Sequence, residues 1–303
     1  LTPESSGTES PLPVAVMPQS NHIAFVSDRT GSMQIWSMNK DGSDQKQLTS
    51  VAEGVCQPAF SPDGKKLAVI SPCDGKKLVY ERTKILILNS DGSNPQPLPV
   101  TQGNDFDPAW SHDSTRLAFA STRNGLPHIF LYNFETASFE ELSDTRYADI
   151  NPSWNIGDKQ LAFSRLASVA YHIWLMSDKG LTQSQFSSSG EINDIGVDWS
   201  HNGEFVIFSR TPADSNIPYL VRLDYKDRNA GGEVRIYPAQ NNTVPMIGAR
   251  LSFDDQSITF ESCPDGRNHD IYLMGIDGED FIRLTNDPGN DFSPVWIPDI
   301  TGN

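Results

Sequence analysis

Four aspartates, Asp105, Asp149, Asp194 and Asp291, each stand five residues ahead of a tryptophan that closes a short motif: DPAW to Trp110, NPSW to Trp154, GVDW to Trp199 and SPVW to Trp296. Carboxylates gathered by a repeated spacing offer oxygen donors alone, which suits a hard cation. Calcium fits best, with Asp107, Asn151 or backbone carbonyls one step deeper completing the set. Two carboxylates about 8 Å apart repel by roughly 0.5 to 2 kcal/mol, so four at one mouth call for a cation or a cationic partner group to offset them. The alternative is that each aspartate caps its own loop by accepting from nearby backbone N–H groups. Arginines recur at matching turns, at Arg29, Arg123, Arg165, Arg210 and, after a longer loop, Arg267; Arg250 is counted with them as a ligand-binding candidate. They either neutralise the aspartates within the chain or form a rim that reads carboxylates on a partner.

Other chemistry finds less support. No G-x-S-x-G elbow, H-E-x-x-H pair or glycine-rich phosphate loop occurs, so the expectation is a protein that is not an enzyme. A metal-dependent hydrolase or lyase using the carboxylate ring is the alternative, and a purely structural subunit of a larger assembly is a third reading. The Asn-x-Asp-Gly-Ser segments at Asn39 and Asn89 lack the bidentate Glu of a calcium loop and read as hairpin turns. Of the three cysteines, Cys56 and Cys73 fall nearly opposite one another when counted back from the SPDG turn. They form the candidate disulfide, which would mark an oxidising compartment; Cys263 is left over.

The elements that must position these residues repeat. Six segments end in an aromatic anchor, at Phe60, Trp110, Trp154, Trp199, Phe253 and Trp296, with spacings of 50, 44, 45, 54 and 43 residues. A polar turn follows five of them (SPDG, SHDS, NIGD, SHNG, DDQS), then an apolar strand (KLAVIS, RLAFAS, QLAFSR, FVIFSR, SITFES) that also opens the series as HIAFVS. A second strand comes next (IWSM, ILIL, IFLY, IWLM, YLVR, IYLM), then a turn, Asp-Gly in three units, and a short strand such as QKQLT or FIRLT. A four-stranded unit of about 45 residues buries its two faces only against neighbours, so the pattern predicts an all-β, six-bladed propeller over residues 22–303. The first unit lacks its anchor strand and the last is followed by a spare one, Asp291 to Ile297. That strand is expected to join blade 1 and close the ring. Residues 1–21, rich in Pro, Ser and acidic side chains, read as a tether.

The units PAFSPDGKKLAVIS, HIAFVSDRTGSMQIWSMNKDGSDQKQLT and DIYLMGIDGEDFIRLTNDPGNDFSPVW resemble the repeats of the TolB-type six-bladed propeller family, over residues 22 to 297. The resemblance implies a protein-binding, sensing or accessory domain of the kind common in bacterial envelope proteins, or attached to peptidases and kinases. Composition agrees with the architecture: 22 Gly and 21 Pro among 303 residues supply the punctuation of many short strands. With 39 acidic against 23 basic residues, the net charge of −16 excludes nucleic acid as a partner, because that binding rests on Lys and Arg. No apolar run approaches the roughly 18 residues of a membrane span. The sequence therefore predicts a periplasmic or extracellular propeller, tethered by its N-terminal segment, that binds a protein or peptide at its channel mouth.

Overall fold

The computed structural model describes residues 20–299 except 144, 145, 189, 191, 227, 228, 238–243 and 265, so the expected tether lies almost wholly outside the described residues. The first two units supply β1 (His22–Ser27), β2 (Gln34–Asn39) and β3 (Lys46–Gln47), then β4 (Cys56–Phe60), β5 (Lys66–Ser71), β6 (Lys84–Asn89) and β7 (Gln96–Pro97). The next two give β8 (Asp105–Trp110), β9 (Arg116–Ser121), β10 (His128–Asn133) and β11 (Phe139–Glu141), then β12 (Ala148–Trp154), β13 (Gln160–Ala167), β14 (Ala170–Ser177) and β15 (Ser184–Gln185). Then follow β16 (Ile192–Trp199), β17 (Phe205–Pro212), β18 (Tyr219–Lys226) and β19 (Asn229–Ile236), and β20 (Ile247–Leu251), β21 (Ser257–Ser262), β22 (Asp270–Gly275) and β23 (Ile282–Arg283). The last strand, β24 (Asp291–Ile297), pairs antiparallel with β1, completing the sixth four-stranded sheet and closing the ring as its sequence predicts.

The second strand of each blade is buried along nearly its whole length, as in KLAVIS and SITFES, because both of its faces are covered by neighbouring blades. Three of the four anchor tryptophans fasten one blade to the next by a hydrogen bond: Trp110 Nε1 donates to the Ala59 carbonyl at 3.1 Å, Trp154 Nε1 to Ala109 at 3.2 Å and Trp296 Nε1 to Arg250 at 3.3 Å. Outer strands are held by a recurring hydroxyl. Thr49, Ser143, Ser187 and Thr285 each accept from the amide of the isoleucine in the third strand of their blade, at 2.9–3.0 Å. The Asp-Gly turns also pack between blades. Gly92 has φ +83°, and a Cβ there would run into the Leu48 carbonyl of blade 1.

Register corrects the frame of blade 6. Leu251 pairs with Ile258 just as Phe60 pairs with Leu67 and Trp110 with Leu117, so Leu251, not Phe253, is the anchor. Phe253 is instead the second residue of the turn Ser252–Asp255, matching Pro62, His112, Ile156 and His201. The residue that corresponds to the four aspartates in blade 6 is then Met246, whose amide donates to the Pro218 carbonyl as that of Asp105 does to Thr83.

Candidate functional site

Antiparallel register sets the aspartates beside arginines of their own blade. Asp149 lies opposite Arg165 and Asp194 opposite Arg210, so each guanidinium grips its carboxylate through two bonds. Arg165 Nε and Nη2 reach Asp149 at 2.6 and 2.8 Å, and the same atoms of Arg210 reach Asp194 at 2.7 and 3.0 Å. In blades 3 and 1 a serine takes the opposing place and the arginine two residues on reaches back. Arg123 Nη2 bonds Asp105 at 2.7 Å, and Arg29 Nη2 bonds Asp291 at 2.7 Å. Aromatic rings of the third strands cover these guanidinium planes, Arg29 over Trp36 and Arg123 over Phe130 at 4.7 Å, and Arg165 over Trp174 at 4.9 Å.

All four aspartates are fully buried. Burial pushes the Asp149 and Asp291 carboxyls above the ordinary range, opposed by the hydrogen bonds and charge of Arg165 and Arg29. Of the readings the sequence leaves open for these carboxylates, a calcium ring, loop caps or neutralisation by the arginines, the structure shows each engaged by an arginine. Among the described residues no three His, Cys, Asp or Glu side chains gather to hold a metal ion. Arg267 lies exposed in the loop of blade 6.

Two residues deeper, every innermost strand carries a β-bulge. Its residue is in the left-handed region in all six blades: Gln57, Asp107, Asn151, Gly196, Gly248 and Ser293, with φ between +50° and +70°. Three of these form a chain around the channel. The Asp107 carboxylate accepts from Gln57 Nε2 at 2.5 Å and from the amide and side chain of Asn151 at 2.9 and 2.8 Å, while the Asp107 amide donates to Gln57 Oε1 at 2.8 Å. Burial raises the Asp107 carboxyl to about 6 against those bonds and the charge of Arg250.

The loop between β5 and β6 reaches over this mouth. Its base is pinned where the Cys56 and Cys73 sulfurs are bonded, with Cα atoms 5.8 Å apart, and its Lys76 ion-pairs with the buried Glu261 of blade 6. Despite burial, the charge and bond of Lys76 hold Glu261 down at about 2. What stays open here is a cavity of about 130 Å³, to which Tyr80, Leu78, Asp107, Asn151 and Arg250 contribute.

The opposite mouth is wider, a cavity of about 460 Å³. Its wall is the ring of anchors, Phe60, Trp110, Trp154, Trp199, Leu251 and Trp296, and its rim is the second turn residue of five blades, Pro62, His112, Ile156, His201 and Phe253. Asp198 and Arg250 lie toward its floor, and Arg250 borders both cavities. Burial pushes the Asp198 carboxyl up, against the charge of Arg250 and a bond from the Leu251 amide at 2.9 Å. An apolar funnel with a few convergent polar groups is the ordinary form of a recognition site. The sequence expectation sets the ligand at the other end, where polar residues repeat. The signal for this end was present as the second letter of each turn, together with the anchors themselves.

Comparisons with known proteins agree with this architecture. The family model of the TolB β-propeller domain matches residues 43–232. A TolB homologue of Chlorobium luteolum is 27% identical over 152 residues, 38% of this chain and 35% of that protein. The Tol-Pal system protein TolB of Bordetella pertussis is 24% identical over 150 residues, 37% of this chain and 34% of its own length. The chain thus matches about a third of the length of these curated relatives. Among solved structures, TolB of Acinetobacter baumannii superposes with a TM-score of 0.73 at 17% identity, covering 92% of this chain and 67% of that one.

Proposed function

The chain belongs to the TolB β-propeller domain family, and on that premise we propose that it is a non-enzymatic, protein- or peptide-binding propeller of a cell-envelope assembly that receives its partner at the aromatic mouth. The observation that carries this reading is the 460 Å³ cavity walled by six anchor residues, five of them aromatic, opposite the mouth where the carboxylates are engaged by arginines. Aromatic side chains present large, rigid contact area at low entropic cost, which is why they dominate protein interfaces. Kinship with a Tol-Pal system protein supports an accessory or scaffold role in an envelope assembly, and the Cys56–Cys73 bond supports an oxidising compartment such as the periplasm. Residues 1–21 would then serve as the tether.

The test is capture of envelope proteins by the wild type and by two charged variants. Ile156→Glu/Phe253→Glu places carboxylates on the aromatic rim, and Val169→Glu alters a residue exposed at the hairpin tip of the opposite face. The partner set of the wild type should survive Val169→Glu and be lost from the double variant. Retention of the same partners by the double variant would remove the aromatic mouth from the reading.

A further inference from the structure

We propose that the aromatic mouth also carries a divalent transition-metal site whose protein ligands are the Nε2 atoms of His112 and His201. The two histidines occupy the same turn position in blades 3 and 5, and their rings stand 6.5 Å apart, nearly perpendicular. Each is braced from behind by a carboxylate of the next blade. His112 Nδ1 lies 3.2 Å from Asp158, and His201 Nδ1 lies 3.1 Å from Asp255. Those carboxylates are themselves fixed by two backbone amides each, from His112 and Asp113 at 2.8 and 3.0 Å and from His201 and Asn202 at 2.8 and 3.0 Å.

The repeats serve as their own control. The fourth turn residue is left-handed in all five turns, and the blades that follow Pro62 and Ile156 place Ser114 and Gly203 there. An aspartate fills that position only in the two blades that follow a histidine, Asp158 at φ +57° and Asp255 at φ +58°. His and Asp thus occur as a unit.

The unit sets the tautomer. A proton on Nδ1 directed at a carboxylate leaves the Nε2 lone pair free, and among the described residues neither Nε2 has a hydrogen-bond partner. This carboxylate–imidazole arrangement orients histidines toward metals. The two carboxylates behind the rings favour a cation over an anion. Imidazole donors select zinc, copper, nickel or cobalt over calcium. Two rings sharing one ion at metal–nitrogen distances of about 2 Å stand roughly 5–6 Å apart, so loading draws these side chains slightly together. The remaining coordination positions face the cavity, open to water or to a donor from whatever enters it.

Calorimetry of the metal-stripped chain with Zn²⁺, and with Ca²⁺ as the contrast, tests the site. One equivalent of Zn²⁺ should bind with no matching Ca²⁺ uptake. Affinity should fall at least about tenfold in His112→Ala and in His201→Ala, and about 10- to 100-fold in Asp158→Asn/Asp255→Asn. Imidazole ¹⁵N spectra of the wild type, which need no variant to fold, should show Zn²⁺ displacing the Nε2 resonances of these two histidines alone. Absence of Zn²⁺ binding, equal uptake of Ca²⁺, binding indifferent to both His substitutions, or unmoved Nε2 resonances would each overturn the proposal.

Discussion

Asp107 is where a single side chain governs the polar end of the channel. Its carboxylate joins blades 2, 3 and 4 through Gln57 and Asn151, and burial holds it at about 6 instead of the ordinary 3.8. Between pH 4 and 6 the folded chain therefore keeps a proton that the unfolded chain releases. The corresponding stability is fully present below about pH 4 and is lost as pH rises through 6, amounting to about 3 kcal/mol at 1.36 kcal/mol per unit. Asn at this position tolerates the left-handed backbone and carries no titrating charge. Urea denaturation of Asp107→Asn and wild type at pH 4 and pH 7 should show the variant gaining about 3 kcal/mol relative to the wild type between the two; a difference independent of pH would contradict this account. Much at this scale was legible: the aspartates and arginines were found by spacing, and their mutual neutralisation stood as one of two readings. Their complete burial was not legible, because residue type does not reveal that a ring from the third strand will close over three of the four guanidiniums. His112 and His201 lay in plain view inside SHDS and SHNG. Their meaning depends on carboxylates 46 and 54 residues later that only ring formation brings alongside.

Strands and turns were the most readable level, since hydrophobic alternation, Asp-Gly turns and aromatic anchors act locally and recur. The misframed blade shows the limit. Blade 6 has Leu251 where its sisters have an aromatic anchor, and the aromatic Phe253 two residues on satisfied the motif by type while belonging to the turn. The bulges at Gln57, Asp107, Asn151 and Ser293 were likewise invisible, because a left-handed residue in a strand has a sequence signal mainly when it is glycine, as at Gly196 and Gly248. One element carries the whole topology: β24 pairs with β1, Asn290 bonds Asp28 through its amide at 2.8 Å and its side chain at 2.9 Å, and Arg29 binds Asp291 across the same seam. Deleting residues 290–303 strips blade 1 of its innermost strand and leaves Arg29 without its carboxylate. The melting temperature is expected to fall sharply, and an unchanged value would show that the ring does not depend on this latch.

At the scale of the whole molecule, the acidic side chains of the sequence divide into two kinds. Some are internal, four buried aspartates balanced by arginines and Glu261 balanced by Lys76, and add nothing to the net charge; the excess lies elsewhere, much of it on turns and outer strands. The ring therefore has two unlike ends, one covered by the Lys76 loop and the other an aromatic funnel. The sequence expectation sets the ligand at the end richer in charge, because electrostatic residues repeat visibly, whereas the proposal sets it at the aromatic end, since concavity is a property of the closed ring. Photo-crosslinking in the living source organism separates the two ends most directly, with a photoreactive phenylalanine analogue placed at Phe253 or at Val169. The account predicts a discrete protein adduct from position 253 and none from position 169. An adduct from position 169 with none from position 253 would contradict it.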